Sequence, residues 1–310
     1  MNGRKTACIS IDLDSVECYY GIHGLNPPHN VRAIHFSKGL RRFLGLFDEL
    51  NIKSTLFAVG EDLRDETCGR ILAEAAQRGH EPANHTWSHP YNLTRLPDTQ
   101  KKHQIRRAHE AIAQCTGREP VGFRAPGYHI NGRLRAMLRE SGYRYDASLL
   151  PSPPYYFAKS AVIALSALRG RRSRSIIGGS GMILSPTLPY RSGGMYWTMG
   201  DDLLEIPCSV VTPLRIPFIG TTMTVFSDRV IRLLMCYLEQ QPFLSIELHA
   251  IDLMDSAEDG FESLARFQPD AAIPLEEKRE KIRAVLSMIV NDFGFEPMTL
   301  EQAARLVDGR

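Results

Sequence analysis

The chain has 310 residues, 43% of them hydrophobic, and a formal net charge of +2. That length admits one large domain or two small ones, and that apolar share can fill a substantial core. Near-neutral charge argues against bulk affinity for nucleic acid, and no run of about eighteen apolar residues offers a membrane-spanning helix. The opening Met1 to Thr6 leads straight into an alternating stretch and lacks the long apolar segment of an export signal, so the expected location is cytoplasmic. The cysteines at 8, 18, 68, 115, 208 and 236 form no Cys-x-x-Cys pair. This argues against a thiolate zinc site and a disulfide framework, and for buried, reduced thiols.

Strand and helix signals alternate from the start. Ala7 to Ile11 reads as a buried strand, and Leu40, Phe43, Leu44, Phe47 and Leu50 recur at helical spacing. Ser54 to Val59 is a second apolar strand, closed by Gly60. Residues 64 to 78 read as a helix stopped by Gly79. Glu81 to Asn84 is extended; Ile105, Ala108 and Ile112 mark the next helix face. Val121 to Arg124 is extended again, and Leu134, Met137 and Leu138 give a helix. Far along, Phe243 to Leu248 reads as a strand, and Ile282, Val285, Leu286 and Ile289 as a helix after Pro274. Thr299 with Gln302 predicts a capping box for the last helix. Such alternation implies a parallel sheet with helices outside it, and some seven units fit a β/α barrel better than an open sheet.

Residues 151–202 break the rhythm. Pro151, Pro153 and Pro154 open the segment, and Gly178, Gly179, Gly181, Gly193, Gly194 and Gly200 loosen its later part. Between them the apolar Ala161 to Leu168 runs into Arg169, Arg171, Arg172 and Arg174. The segment reads as an insertion or lid within a single domain spanning 1–310. Its apolar stretch and arginines are either a surface helix with a solvated basic end or a contact, through 161–174, with a membrane surface or an anionic substrate tail.

Four features carry chemistry. His85-Thr86-Trp87-Ser88-His89 places two histidines four apart, a spacing that on a helical turn lets both reach one metal ion. It follows a strand directly, and the carboxyl ends of barrel strands are where catalytic groups collect. Asp12-Leu13-Asp14 ends the first strand. Residues two apart on a strand face the same way, and carboxylates buried there need a charged partner such as a metal. Two histidines with a carboxylate are a catalytic zinc-type set. Arg124-Ala125-Pro126-Gly127-Tyr128 again follows a strand; its arginine can pair with a carboxylate, and Pro126-Gly127 sets a tight turn. Ile246-Glu247-Leu248-His249 ends a late strand with a histidine able to act as general acid.

Together these motifs resemble the polysaccharide deacetylase family, carbohydrate esterase family four. Asp12-x-Asp14 stands where that family usually has adjacent aspartates and is similar to a branch with an Asp-x-Asp first motif. His85-Thr86-x-x-His89 matches the second motif, Arg124-x-Pro126-Gly127 the third, and Leu248-His249 the fifth. The resemblance implies a distorted seven-stranded barrel and a divalent metal, usually zinc, held by Asp14, His85 and His89. It further implies Asp12 as general base, Arg124 as its charge partner, Gly127 and Tyr128 at the oxyanion and substrate, and His249 as the acid that protonates the departing amine. The family's aspartate that tunes this histidine has no clear counterpart; Asp146, Glu247, Asp252 and Asp255 are the candidates. The implied substrate is an N-acylated, above all N-acetylated, amino sugar. Lack of an export signal, with the basic apolar segment, favours a lipid-linked sugar at the inner membrane face. A deformylase or cyclic-amide hydrolase of the same fold, and a barrel that binds carbohydrate without turnover, are the alternatives.

Overall fold

The computed structural model describes residues 4–178 and 181–309, so Gly179 of the glycine-rich segment and the first three residues lie outside it. The first strand, β1 (Thr6–Leu13), is buried at all eight positions, as a central strand of a parallel sheet must be. The strands that follow are β2 (Thr55–Ala58), β3 (Glu81–Asn84), β4 (Gly122–Phe123), β5 (Tyr145–Asp146), β6 (Tyr190–Ser192), β7 (Met199–Glu205), β8 (Val210–Val211), β9 (Ile216–Pro217), β10 (Phe243–His249) and β11 (Glu296–Met298). Seven of them run parallel in the order β10-β1-β2-β3-β4-β5-β7. β6 adds antiparallel to β7, and β11 pairs with the start of β1. Between β7 and β10 there is no regular ladder. There, Ser209 N–H donates to Ser245 C=O at 2.8 Å, Ser245 N–H donates to Ser209 Oγ at 2.8 Å, and Ile219 bridges Glu247. The sheet curls into the distorted seven-stranded barrel that the family resemblance implies.

The helices are α1 (Val16–Ile22), α2 (Arg41–Glu49), α3 (Glu66–Gln77), α4 (Asp98–Thr116), α5 (Gly132–Glu140), α6 (Pro153–Leu168), α7 (Gly181–Leu184), α8 (Gly220–Val225), α9 (Asp228–Leu238), α10 (Leu275–Ser287) and α11 (Leu300–Asp308). Their buried stripes are those read from the sequence: Phe43, Leu44 and Phe47 on α2, Ile105, Ala108 and Ile112 on α4, and Ile282, Val285 and Leu286 on α10. The stripes of α2 and α10 and Ile112 of α4 join Ala7, Ile9, Ile11 and Leu13 of β1 in one core, while Ile105 packs in a second with Phe123 and Leu134; each large apolar side chain contributes about 1.5–3 kcal/mol. Thr299 and Gln302 form the expected capping box on α11. All six cysteines are free, though Cys236 is exposed and Cys18 and Cys115 are half-buried. Among the described residues no helix is long and apolar enough to cross a membrane.

The segment 151–202 is not one insertion. Its first part is α6, longer than the Ala161–Leu168 stretch because Ser152 caps it, its hydroxyl accepting from Tyr155 N–H at 3.3 Å. Its last part supplies β6 and most of β7, a parallel strand of the barrel itself. Met199-Gly200-Asp201-Asp202 of β7 is largely exposed and only its end is buried, so it lacks the apolar alternation of a core strand.

Gly122 of β4 lies against the Tyr145 ring of β5, and a Cβ there would fall inside that ring's van der Waals surface. Tyr145 is fully buried and donates to Glu81 Oε1 at 2.5 Å, which anchors its ring. Gly122→Ala should therefore lower unfolding stability by about 1–3 kcal/mol, as a chemical-denaturation midpoint reports; an unchanged midpoint would show that the β4–β5 contact yields freely.

Candidate metal centre and active site

Parallel register brings the site together at the carboxyl ends of the strands. Asp12, near the end of β1, is the direct cross-strand partner of His249, the last residue of β10. Asp14 follows β1, His85 follows β3, and Arg124 follows β4. His85 N–H donates to Ala58 C=O and Arg124 N–H to Asn84 C=O, so both continue the ladders by one step.

The two histidines do not lie on a helical turn, as their spacing suggested. Residues 85–90 form a loop in which Thr86 and His89 adopt left-handed backbone angles (φ 70° and 51°). Such angles are uncommon for these residues and persist only where surroundings impose them. Here Asn84 imposes them. Its Oδ1 accepts from Thr86 N–H at 2.7 Å, while its Nδ2 donates to Ile105 C=O and Tyr143 Oη. Gly60 and Glu61 N–H donate to the carbonyls of Thr86 and Trp87. The loop is thus tied to β3, α4 and the turn after β2.

His85 Nε2 and His89 Nε2 each lie 3.2 Å from Asp14 Oδ1. His85 Nδ1 faces the Arg124 carbonyl at 2.8 Å. A carbonyl only accepts, so the ring proton sits on Nδ1 and the Nε2 lone pair points at the carboxylate. His89 Nδ1 lies 3.5 Å from Cys18 Sγ. Asp14 Oδ1 and His89 Nε2 are buried and make no hydrogen bond of acceptable geometry. Two imidazole nitrogens and a carboxylate oxygen that converge in a buried site without a well-formed hydrogen bond suit a cation between them. The set is two imidazoles and a carboxylate, with ligating atoms all within 4.8 Å of one another, and it fits a zinc-type ion with positions left open. Burial pushes the Asp14 carboxyl up, but the facing His89 and His85 hold it well below the usual carboxylate range, in the ionised form a ligand needs.

Asp12 stands beside this centre with a different partner. Arg124, with no exposed surface, donates from Nη1 to Asp12 Oδ1 at 2.6 Å and to Ser10 Oγ at 3.0 Å, and from Nε to the Ala147 carbonyl at 2.8 Å. Its guanidinium lies 4.1 Å over the Phe57 ring. One Asp12 oxygen is thereby fixed, and the other, Oδ2, lies 3.6 Å from His85 Nε2 at the metal centre.

His249 closes the other side. Its ring Nε2 lies 3.5 Å from Glu247 Oε1, while its backbone N–H donates to Asp252 Oδ2 at 2.7 Å. Glu247 and His249, two apart on a strand, share a face. Glu247 accepts from Tyr128 Oη at 2.9 Å and Cys208 Sγ at 3.0 Å. Burial pulls the His249 ring down, but Glu247, Asp12, Asp14 and Asp252 outweigh it and lift the ring to about 9. Of the four candidates for its tuning acid, Glu247 faces the ring and Asp252 holds the backbone. Asp146 bonds Ser148, and Asp255 accepts from the N–H groups of Ala257, Glu258 and Leu275. Gly127 and Tyr128 are both left-handed (φ 64° and 66°). A Cβ on Gly127 would meet Tyr91 Cδ1 at 3.0 Å, so this turn takes glycine on both counts. Tyr91 itself packs edge-on against His89, ring centroids 4.9 Å apart.

Asp12, Asp14, His85, Glu247 and His249 line a cavity of about 560 Å³ that extends past Tyr155, Ala158, Lys159, Val162 and Ile163 of α6 to Ile216, Ile219 and Phe226. Tyr91, Tyr155, Lys159 and Cys208 carry no motif in the sequence. For Glu247, the period-two spacing to His249 was the available signal.

Comparison with known proteins agrees with this architecture. Residues 28–145 match the family described as polysaccharide deacetylase; this includes His85, His89, Arg124, Gly127 and Tyr128, while Asp12, Asp14 and His249 lie outside it. Over residues 28–145 the chain is thus similar to the polysaccharide deacetylases, as its second and third motifs imply. A peptidoglycan deacetylase of Helicobacter pylori is 28% identical over 151 residues, 47% of this chain and 50% of that protein. The chain matches half or less of the length of its curated relatives. Among solved structures, a polysaccharide deacetylase-type protein from Mycobacterium smegmatis superposes with a TM-score of 0.62 at 18% identity, covering 100% of this chain and 92% of the other. An allantoinase superposes with 0.61 at 14% identity, covering 98% and 91%. At such identities the likeness establishes the fold.

His85→Ala removes one of the three converging groups and should weaken zinc binding beyond the 10–100-fold typical of losing only a supporting group, measured by competition with a chromogenic chelator. Asp12→Asn should leave that affinity within a few-fold. Equal losses in the two variants would mean that Asp12 is itself a ligand.

Proposed function

We propose that this protein is a metal-dependent hydrolase acting on carbon–nitrogen bonds other than peptide bonds, removing an N-acyl, chiefly N-acetyl, group from an amino sugar. The observation that carries the proposal is the convergence of Asp14, His85 and His89 on one point, flanked by an Arg124-held carboxylate and a carboxylate-held histidine. The matches to peptidoglycan and chitin deacetylases support the substrate class.

A divalent ion held by Asp14, His85 and His89, zinc by its donor set, would acidify water and polarise the amide carbonyl. The other groups divide the proton work. Asp12, one oxygen tied to Arg124, takes the proton of the attacking water on the other. The arginine keeps Asp12 aligned. The Gly127–Tyr128 turn lines the cavity where the carbonyl oxygen gathers charge, and a backbone donor there supplies about 3–4 kcal/mol. His249, protonated at neutral pH, gives its proton to the departing amine, which leaves poorly as an anion.

The finer reading is a lipid-linked amino sugar met at the inner face of a membrane. Beyond the metal centre the cavity is lined in part by apolar side chains, among them Val162, Ile163, Ile216, Ile219 and Phe226. α6 exposes Phe157 (76%) near its start and Leu168 (85%) at its end, where the chain runs on into the exposed Arg169, Arg172 and Arg174. Apolar side chains with adjacent arginines suit an anionic bilayer surface, so 161–174 is the proposed peripheral contact. Free thiols fit a cytoplasmic setting.

Acetate release from a panel of N-acetylated sugars, free and lipid-linked, tests the proposal, with formylated sugars and cyclic imides as the competing arms. Release from none of the acetylated sugars would overturn it. In an active preparation Asp12→Asn should lose about 10²–10⁴ in kcat.

The His249 pKa sets the pH dependence. An acid raised to about 9 is active below that value, so kcat should fall as pH rises through about 9. Glu247→Gln removes the foremost carboxylate lifting it, and the alkaline limb should move to lower pH. A limb that stays in place would remove Glu247 from the tuning role.

A further inference from the structure

The cavity wall formed by α6 changes chemistry along its length. Tyr155, Ala158, Lys159, Val162 and Ile163 all line the cavity, at spacings that put them on one helix face. At about 1.5 Å rise per residue, Lys159 stands about one turn from Tyr155 and one turn from Ile163. Tyr155 packs edge-on against Tyr128 beside the catalytic groups, centroids 5.2 Å apart. Val162 and Ile163 face the apolar end with Ile216 and Phe226. The order along the wall is reacting centre, cation, hydrocarbon.

Lys159 has no carboxylate partner. Its Nζ donates to the Gly127 carbonyl at 3.1 Å and lies 3.3 Å from His129 Nε2, which faces the Ile176 carbonyl at 2.9 Å. With its proton directed to that carbonyl, the His129 nitrogen has no lone pair for the lysine. An ammonium carries three donors, and here one carbonyl takes one of them. The buried arginines contrast with it, since Arg124 holds Asp12 and Arg135 holds Glu205. Among the described residues no carboxylate lies within 4.0 Å of Lys159. From 147 to 200 the chain has no Asp or Glu at all, against Lys159, Arg169, Arg171, Arg172, Arg174 and Arg191. The cavity's carboxylates stand elsewhere, at the ends of β1 and β10 and at Asp252 and Asp270. Burial alone pulls the ammonium down to about 8, the behaviour of a cation that lacks a counter-charge.

We infer that Lys159 is an anion subsite, and that the cavity takes an amphipathic anion: an N-acyl sugar at the metal centre, joined through a phosphate or carboxylate at Lys159 to a hydrocarbon chain lying along Val162, Ile163, Ile216 and Phe226. The identity of the reacting end rests on the deacylase reading; the subsite does not.

Binding read without turnover keeps the two apart. Zinc-loaded protein would be titrated calorimetrically with octyl phosphate, octanoate, octyl glucoside and inorganic phosphate, each below its micellar concentration. At least one octyl anion should bind tenfold or more tighter than octyl glucoside, and the tighter of the two names the linking group. Lys159→Gln should abolish that preference, Lys159→Arg should keep most of it, and Ile163→Asp should weaken all octyl probes while leaving inorganic phosphate unmoved. Melting curves would confirm that each variant is folded. The subsite is overturned if octyl glucoside binds as tightly as both anions, if Lys159→Gln leaves the preference intact, or if it weakens charged and uncharged probes equally, as loss of the Gly127 contact alone would. A protein that releases no acetate yet holds octyl phosphate through Lys159 would sink the deacylase reading and keep the subsite.

Discussion

Asp12 and Asp14 stand at the end of a strand with no exposed residue, and the geometry around them follows from what two buried carboxylates cost. An ion moved from water into a protein interior loses several kcal/mol unless charge and hydrogen bonds replace its solvent. Arg124 does this for Asp12. It is buried in turn, so it needs the Ala147 carbonyl, Ser10 and the Phe57 face to satisfy it. The two imidazoles and the cation they imply do the same for Asp14. Neither carboxylate would be stable beside the core strand without the β3–β4 side of the barrel, which ties the geometry of the candidate site to folding.

The parallel sheet makes this economical. Every strand delivers its last residue to the same rim, so neighbours in space come from residues far apart in sequence. Asp12 meets His249 by register, and Glu247 reaches the same face by the two-residue period. The seam between β7 and β10 is irregular, joined through Ser209 and Ile219. From this side Cys208 reaches Glu247, and the cavity opens towards α6 and the apolar residues near Ile219. A closed, regular ladder would have left less room beside the metal centre.

Legibility in the sequence tracked how strongly local physics constrained each piece. The buried strands β1, β2 and β10 and the helices α2, α4 and α10 announce themselves because burial imposes a period. β4 and β5, two residues each, are too short to show one, and β7 is buried only at its end. The histidine pair was legible as a pair. Its conformation was not, because the left-handed angles at Thr86 and His89 are imposed by Asn84, Gly60 and α4 rather than by the five residues themselves.

The sequence by itself determined which chemistry is available: a carboxylate pair at a strand end, two histidines four apart, an arginine before a Pro-Gly turn and a late histidine. These follow from residue type and short spacing, to which the chain is bound by covalent geometry. Tertiary structure alone decided the partners. It held Asp146 away from His249, set Arg124 against Asp12, and turned Lys159 into the cavity with no carboxylate beside it among the described residues. Those outcomes depend on distances between separate elements of the chain, and such distances are set by how the strands and helices pack and twist, which no local pattern encodes.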